Sequence, residues 1–138
     1  MNLSKTAQYA IRILSFMAVK KLPLYPTSLL VKELQISDKY LKHLMTSMAK
    51  AGLVMSIRGR HGGFKLIKSP NEISLNEIIN AVEKKEKYDG CILGFDQCSD
   101  ESPCAVHKEW SKVKQEMDLL FNQIMLETIV NQQNIIKF

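Results

Sequence analysis

Residues 37–67 read SDKYLKHLMTSMAKAGLVMSIRGRHGGFKLI, and the change of hydrophobic period inside this stretch decides the fold. In its first part Tyr40, Leu41, Leu44, Met45 and Met48 recur at steps of three and four, which is one face of an amphipathic helix. Ser37 stands where an N-cap belongs and Gly52 where the helix should stop. Lys39, Lys42 and His43 fall off the apolar stripe and form a basic outer face near the helix start. Beyond Gly52 the period changes. Leu53 to Ile57 suit a strand, Arg58-Gly59-Arg60-His61-Gly62-Gly63 reads as a turn, and Phe64 to Ile67 alternate like a returning strand. The expectation is a helix followed by a β-hairpin with a basic, glycine-rich tip.

Upstream, Ser4 can cap a helix through Ala7, Ala10, Ile11, Leu14, Met17 and Ala18, ending near Lys20 before Pro23 and Pro26. Thr27 or Ser28 can then cap a short helix through Leu29, Leu30, Val31 and Leu34, with Ile36 and Ser37 as a tight connection. Two short helices, the second basic near its N-terminus, match the geometry that lays a recognition helix in the major groove. Taken alone, they also suit a helical hairpin with solubilising lysines. The hairpin directly after them turns the reading toward double-stranded DNA, because Arg58 and Arg60 can reach phosphates or a narrow minor groove and glycines permit close approach. The predicted class is mainly α with a small β-hairpin wing: a winged helix-turn-helix domain over residues 1–84.

Charge supports that division. The 138 residues carry a net +5, yet residues 1–70 hold twelve Lys or Arg against Glu33 and Asp38, while residues 71–138 hold seven against twelve acids. A basic field confined to one module favours phosphate-rich partners, since each neutralised phosphate releases counterions. The sequence has no apolar run of membrane-spanning length and its N-terminus lacks a cleavable leader pattern, so a soluble, cytoplasmic protein is expected.

In the second half, Ser74-Leu75-Asn76-Glu77 has capping-box spacing, and Leu75, Ile78, Ile79 and Val82 supply the buried face of a short helix. Residues 85–104 read as an irregular cysteine loop. From Trp110 through Val113, Met117, Leu120, Phe121, Ile124 and Thr128 to Ile129 or Val130, apolar positions keep a helical step, predicting one long helix in a segment covering residues 105–138. Such a helix has more apolar edge than a small domain can cover, which points to a homodimer and, with a helix-turn-helix, to a palindromic operator.

Cys91, Cys98, Cys104 and His107 follow a C-x6-C-x5-C-x2-H pattern. Thiols gathered in one polar loop of a cytosolic protein suggest metal or redox chemistry more than structural disulfides. The ligand types leave zinc, an iron-sulfur cluster and a thiol switch open. An enzyme with a reactive cysteine is disfavoured: a nucleophile needs an oriented base and a pocket, His107 lies in the cysteine run, and His43 and His61 sit on the expected DNA-facing elements.

Taken together, LSKTAQYAIR, ISDKYLKHLMTSMAKAGLV, SIRGRHGGFKL, SLNEIINAVE, the three-cysteine loop with His107, and LETIVNQQN resemble the IscR and NsrR family of bacterial winged-helix regulators over essentially the whole chain. The resemblance implies a homodimeric transcription regulator, most simply a repressor, with an iron-sulfur cluster in the loop acting as sensor of cluster status, redox state or nitric oxide. It implies Cys91, Cys98 and Cys104 as cluster ligands and His107 as the histidine of the IscR branch, hence a 2Fe-2S centre. The chain has Gln8 where the nitric-oxide-sensing branch has an acidic ligand, and its first cysteine gap is one residue longer than in IscR. Lys39, Lys42, His43 and Arg58 fall where the family contacts the grooves, and Tyr40 is placed either to touch phosphate or to pack. Lys42 replaces an acidic residue of IscR; because acids accept from cytosine and lysine donates to guanine, a different operator is expected. The alternative keeps the DNA-binding regulator and gives the loop a metal-free thiol switch or a zinc site.

Overall fold

The computed structural model describes residues 2–83 and 90–132. Helix α1 (Lys5–Lys20) starts where Ser4 Oγ accepts from the Ala7 N–H and ends at Lys21, which takes a left-handed conformation. Helix α2 (Thr27–Leu34) begins after Pro26, not under a Thr27 or Ser28 side-chain cap: the Pro26 carbonyl receives the Leu29 and Leu30 N–H groups, and no side chain caps this end. Helix α3 (Asp38–Lys50) is capped by Ser37 as expected, and Gly52 ends its exit turn at φ 77°, a value cheap only for glycine.

Strands β1 (Val54–Ile57) and β2 (Gly63–Leu66) pair antiparallel, with Val54 opposite Leu66 and Ile57 opposite Gly63. The hairpin is fastened to the helices by Tyr25. Its N–H donates to the Phe64 carbonyl at 2.8 Å, its carbonyl accepts from the Phe64 N–H at 2.9 Å, and its phenol donates to the Met17 carbonyl. Gly63 makes this approach possible: a Cβ there would lie 2.5 Å from the Tyr25 carbonyl oxygen.

A 3-10 turn at Pro70–Glu72 carries a second capping box, between Ser69 and Glu72, ahead of the expected box at Ser74 and Glu77 that opens α4 (Leu75–Val82). One continuous core joins Ile13, Leu14 and Met17 of α1, Leu30 and Leu34 of α2, Leu41, Leu44, Met45 and Met48 of α3, and Ile73 and Ile78. Each is essentially removed from water, so truncating any one to Ala would cost about 2–5 kcal/mol.

The long C-terminal helix expected from Trp110 to Val130 is not continuous. Helix α5 (His107–Gln123) stops at Ile124 and Met125, which are extended, and α6 (Leu126–Asn131) follows. The break is made by a distant segment. Leu75 N–H donates to the Ile124 carbonyl and Leu126 N–H to the Ile73 carbonyl, both at 2.8 Å, so Met125 pairs with Ser74 as an antiparallel bridge. Two backbone bonds to another element replace two helical ones, and Leu126 is turned fully into the main core. Helix α5 itself has no buried residue and leaves Val113, Leu119 and Leu120 largely exposed. Among the described residues no helix is long and apolar enough to cross a membrane.

Candidate DNA-reading face and metal centre

The apolar stripe of α3 is spent on the core, so the residues between its turns must face out. Lys39, Lys42 and His43 are exposed. Lys42 Nζ lies 2.8 Å from Asp38 Oδ2 one turn back, a pair with both side chains more than half exposed, so it is readily exchanged for a phosphate or a base edge. Tyr40 is half-buried; its hydroxyl donates to Thr6 Oγ1 at 3.1 Å and its ring meets Tyr9 edge-on at 5.6 Å, bracing the start of α3 against α1. Arg58, Arg60 and His61 are exposed at the wing tip, where Gly59 at φ 113° turns the chain. Sequence reasoning misses Asp38 and the Tyr25 tether on this face. The first is legible from its spacing to Lys42; the second depends on a pairing across the fold.

The second group sits at the start of α5. Sγ of Cys91, Cys98 and Cys104 all lie within 4.8 Å of one another, with Cys91 and Cys104 3.6 Å apart. The loop is shaped by its own backbone: Gly94 N–H returns to the Cys91 carbonyl, the Ser99 and Ser102 main chains bond reciprocally, and His107 N–H reaches the Cys104 carbonyl. Trp110, one turn into α5, donates its indole N–H to the Gly90 carbonyl at 3.0 Å and ties the loop's first described residue to the helix. His107 is held from both sides, Nδ1 at 3.1 Å from Cys98 Sγ and Nε2 at 2.9 Å from Asp100 Oδ1. Thus the three sulfurs converge with the imidazole against one of them. Gln8 stands apart, donating its amide to the Leu3 carbonyl.

The thiols are not equivalent. The Phe95 N–H holds the Cys91 pKa down to about 7 against the opposing effect of desolvation, so this sulfur is substantially thiolate near neutrality. At Cys98 a bond from the Cys104 backbone favours the thiolate, but desolvation and the neighbouring sulfurs outweigh it and the pKa is raised. Three convergent thiols with an imidazole alongside fit the ligand chemistry of an iron-sulfur cluster, and of zinc as well.

Known proteins match this chain in sequence and in fold. The family model Rrf2, described as an iron-dependent transcriptional regulator, matches residues 3–132. An HTH-type transcriptional regulator of Aquifex aeolicus is 30% identical over 133 residues, 95% of this chain and 92% of that protein. The HTH-type transcriptional regulator IscR of Pectobacterium carotovorum is 34% identical over 101 residues, 73% of this chain and 61% of that longer protein. Among solved structures, T. potens IscR superposes with a TM-score of 0.72 at 25% identity, covering 96% of this chain and 88% of that one. CymR, described as the global cysteine regulator of B. subtilis, gives 0.74 at 26% identity, covering 96% and 98%.

Proposed function

The chain belongs to the Rrf2 family of transcription regulators, and from that premise we propose that it is a homodimeric, cytoplasmic repressor of a palindromic operator, governed by an iron-sulfur cluster in its cysteine loop. The observation that carries this reading is the convergence of three sulfurs within 4.8 Å beside His107, in a chain that also carries a basic helix and wing. In it, residues 1–84 read DNA, residues 85–104 hold the cluster, and residues 105–138 pair two subunits.

Cys91, Cys98, Cys104 and His107 would be the ligands. By the resemblance to the IscR branch, which pairs three cysteines with a histidine, the centre would be 2Fe-2S. When bound, the group would supply a redox- and nitric-oxide-sensitive link between the loop and the start of α5. The chain's own residues would transmit it: the Trp110 indole bond to Gly90 links loop and helix, and the exposed apolar face of α5 would set the spacing of two reading heads. Lys39, Lys42 and His43 would enter the major groove, with Tyr40 at the helix start beside the phosphates. Arg58, Arg60 and His61 would follow the adjacent backbone or minor groove.

The test is the visible absorption spectrum of protein purified without oxygen, with iron, sulfide and zinc analysis. A coloured protein holding iron and sulfide in equal amounts, which His107→Ala alters, is expected; a colourless, iron-free sample overturns the cluster. A second reading is favoured by one observation, the 3.6 Å between Cys91 and Cys104 Sγ together with the acidic Cys91 thiol. It makes the loop a thiol switch or zinc site. Zinc at one ion per chain, or a Cys91–Cys104 disulfide formed reversibly by mild peroxide in iron-free protein, would establish it.

A further inference from the structure

We propose that Asp100 is a positioning residue for the metal centre, holding the His107 ring with Nε2 protonated so that Nδ1 is the atom presented to the metal. The inference rests on the cluster reading above and adds a residue and an atom to it. Asp100 sits in the short turn between Ser99 and Ser102, closed by the reciprocal main-chain bonds of those two serines and by the Ser102 N–H to Ser99 Oγ. This turn spans the gap between the second and third cysteines and brings the carboxylate to His107 Nε2 at 2.9 Å.

A carboxylate only accepts, so Nε2 must carry the hydrogen, and a neutral imidazole then has its lone pair on Nδ1. Nδ1 is the nitrogen that faces Cys98 Sγ at 3.1 Å, on the side where the three sulfurs converge. The backbone agrees with this orientation. His107 opens α5 and its N–H is tied to the Cys104 carbonyl, so the ring leaves the helix beside the third cysteine, where the Asp100 and Cys98 contacts hold its two nitrogens. Ligating histidines are commonly oriented in this way by a carboxylate on the second ring nitrogen, which also makes the imidazole a better donor. The His107 side chain is 17% exposed while that of Asp100 is fully exposed. Replacing Asp100 therefore leaves no cavity and no orphaned buried group, and the fold should tolerate it.

The experiment uses the full chain, loaded with iron and sulfide without oxygen, in wild-type, Asp100→Asn and Asp100→Ala forms. Cluster loss to a chelator should be about tenfold faster in Asp100→Ala, at the low end of what such partners contribute, with Asp100→Asn between the two because its amide oxygen still accepts. Protein carrying histidine 15N-labelled at one ring nitrogen at a time is then reduced and examined by pulsed electron paramagnetic resonance. The strong hyperfine coupling should come from Nδ1. In the metal-free protein, long-range 1H–15N spectra of neutral His107 should show hydrogen on Nε2, and Asp100→Ala should lower that tautomer's share. Strong coupling from Nε2, or equal chelator rates in all three proteins, overturns the assignment while leaving the cluster standing. An iron-free wild type overturns the cluster reading and with it this role for Asp100.

Discussion

Arg58 and Arg60 are exposed on the wing's turn among the described residues, so their guanidinium groups can exchange water for phosphate. Each phosphate they neutralise releases counterions, which fixes what their removal should do. Arg58→Ala should weaken operator binding in a fluorescence-anisotropy titration, and the slope of log affinity against log salt should become shallower by about 1. An unchanged slope would remove Arg58 from the interface. Glu77 permits a prediction about acid. Lys68, 2.7 Å away, and the capping bonds from Ser74 hold its pKa below the ordinary 4.5. A carboxylate whose folded pKa is depressed contributes stability in full above its unfolded value, and loses it as pH falls through the folded value. Both partners are about two-fifths exposed, so the contribution is below about 1 kcal/mol. Glu77→Gln, which keeps the capping box without the charge, should flatten the fall in the urea midpoint between about pH 5 and pH 3. The same fall in the variant would mean other carboxylates cause it.

Among the elements, the wing shows how little of a hairpin's stability is local. Four residue pairs make a marginal ribbon, and what holds it is the Tyr25 bridge to Phe64 with the Tyr25 ring buried in the core. Burial raises the Tyr25 phenol's pKa, so it keeps its proton and goes on donating to the Met17 carbonyl. Gly63→Ala would set a Cβ against the Tyr25 carbonyl with no flexible atom to yield. We expect a loss of about 1–3 kcal/mol in urea denaturation, and weaker operator binding with α3 intact by far-ultraviolet circular dichroism. Unaltered binding would show that the wing's tether is dispensable. The hairpin and α3 are both legible in the sequence, because Ser37, Gly52 and the change of period all lie within the segment they organise. The break at Ile124 is not. Its residues keep helical spacing, and the cause lies at Ile73 and Leu75, some fifty residues away in the chain.

For the whole molecule, the question is what covers α5. A helix of seventeen residues with none buried, and with Val113, Leu119 and Leu120 exposed, is unusual unless a second copy lies against it. The double variant Val113→Glu, Leu120→Glu should sediment at half the wild-type mass and bind its operator at least about tenfold more weakly, since one reading head loses the help of the other. Because neither side chain supports the subunit core, the urea midpoint of the monomeric variant should be governed by that core alone. Dimer mass in the variant would place the subunit contact elsewhere.

By itself the amino-acid sequence determined the local elements, the basic reading face and the chemistry of the loop. Helix caps, periodicity and glycine turns act over a few residues, and the identity of a thiol or a guanidinium does not depend on folding. Tertiary structure alone decided the rest. It divided the C-terminal helix by pairing Met125 with Ser74, moored the wing through Tyr25, and gathered three sulfurs with Asp100 on the far side of His107. Each of these depends on backbone groups or side chains that meet only when distant or irregular segments pack, and no period in the sequence records such a meeting.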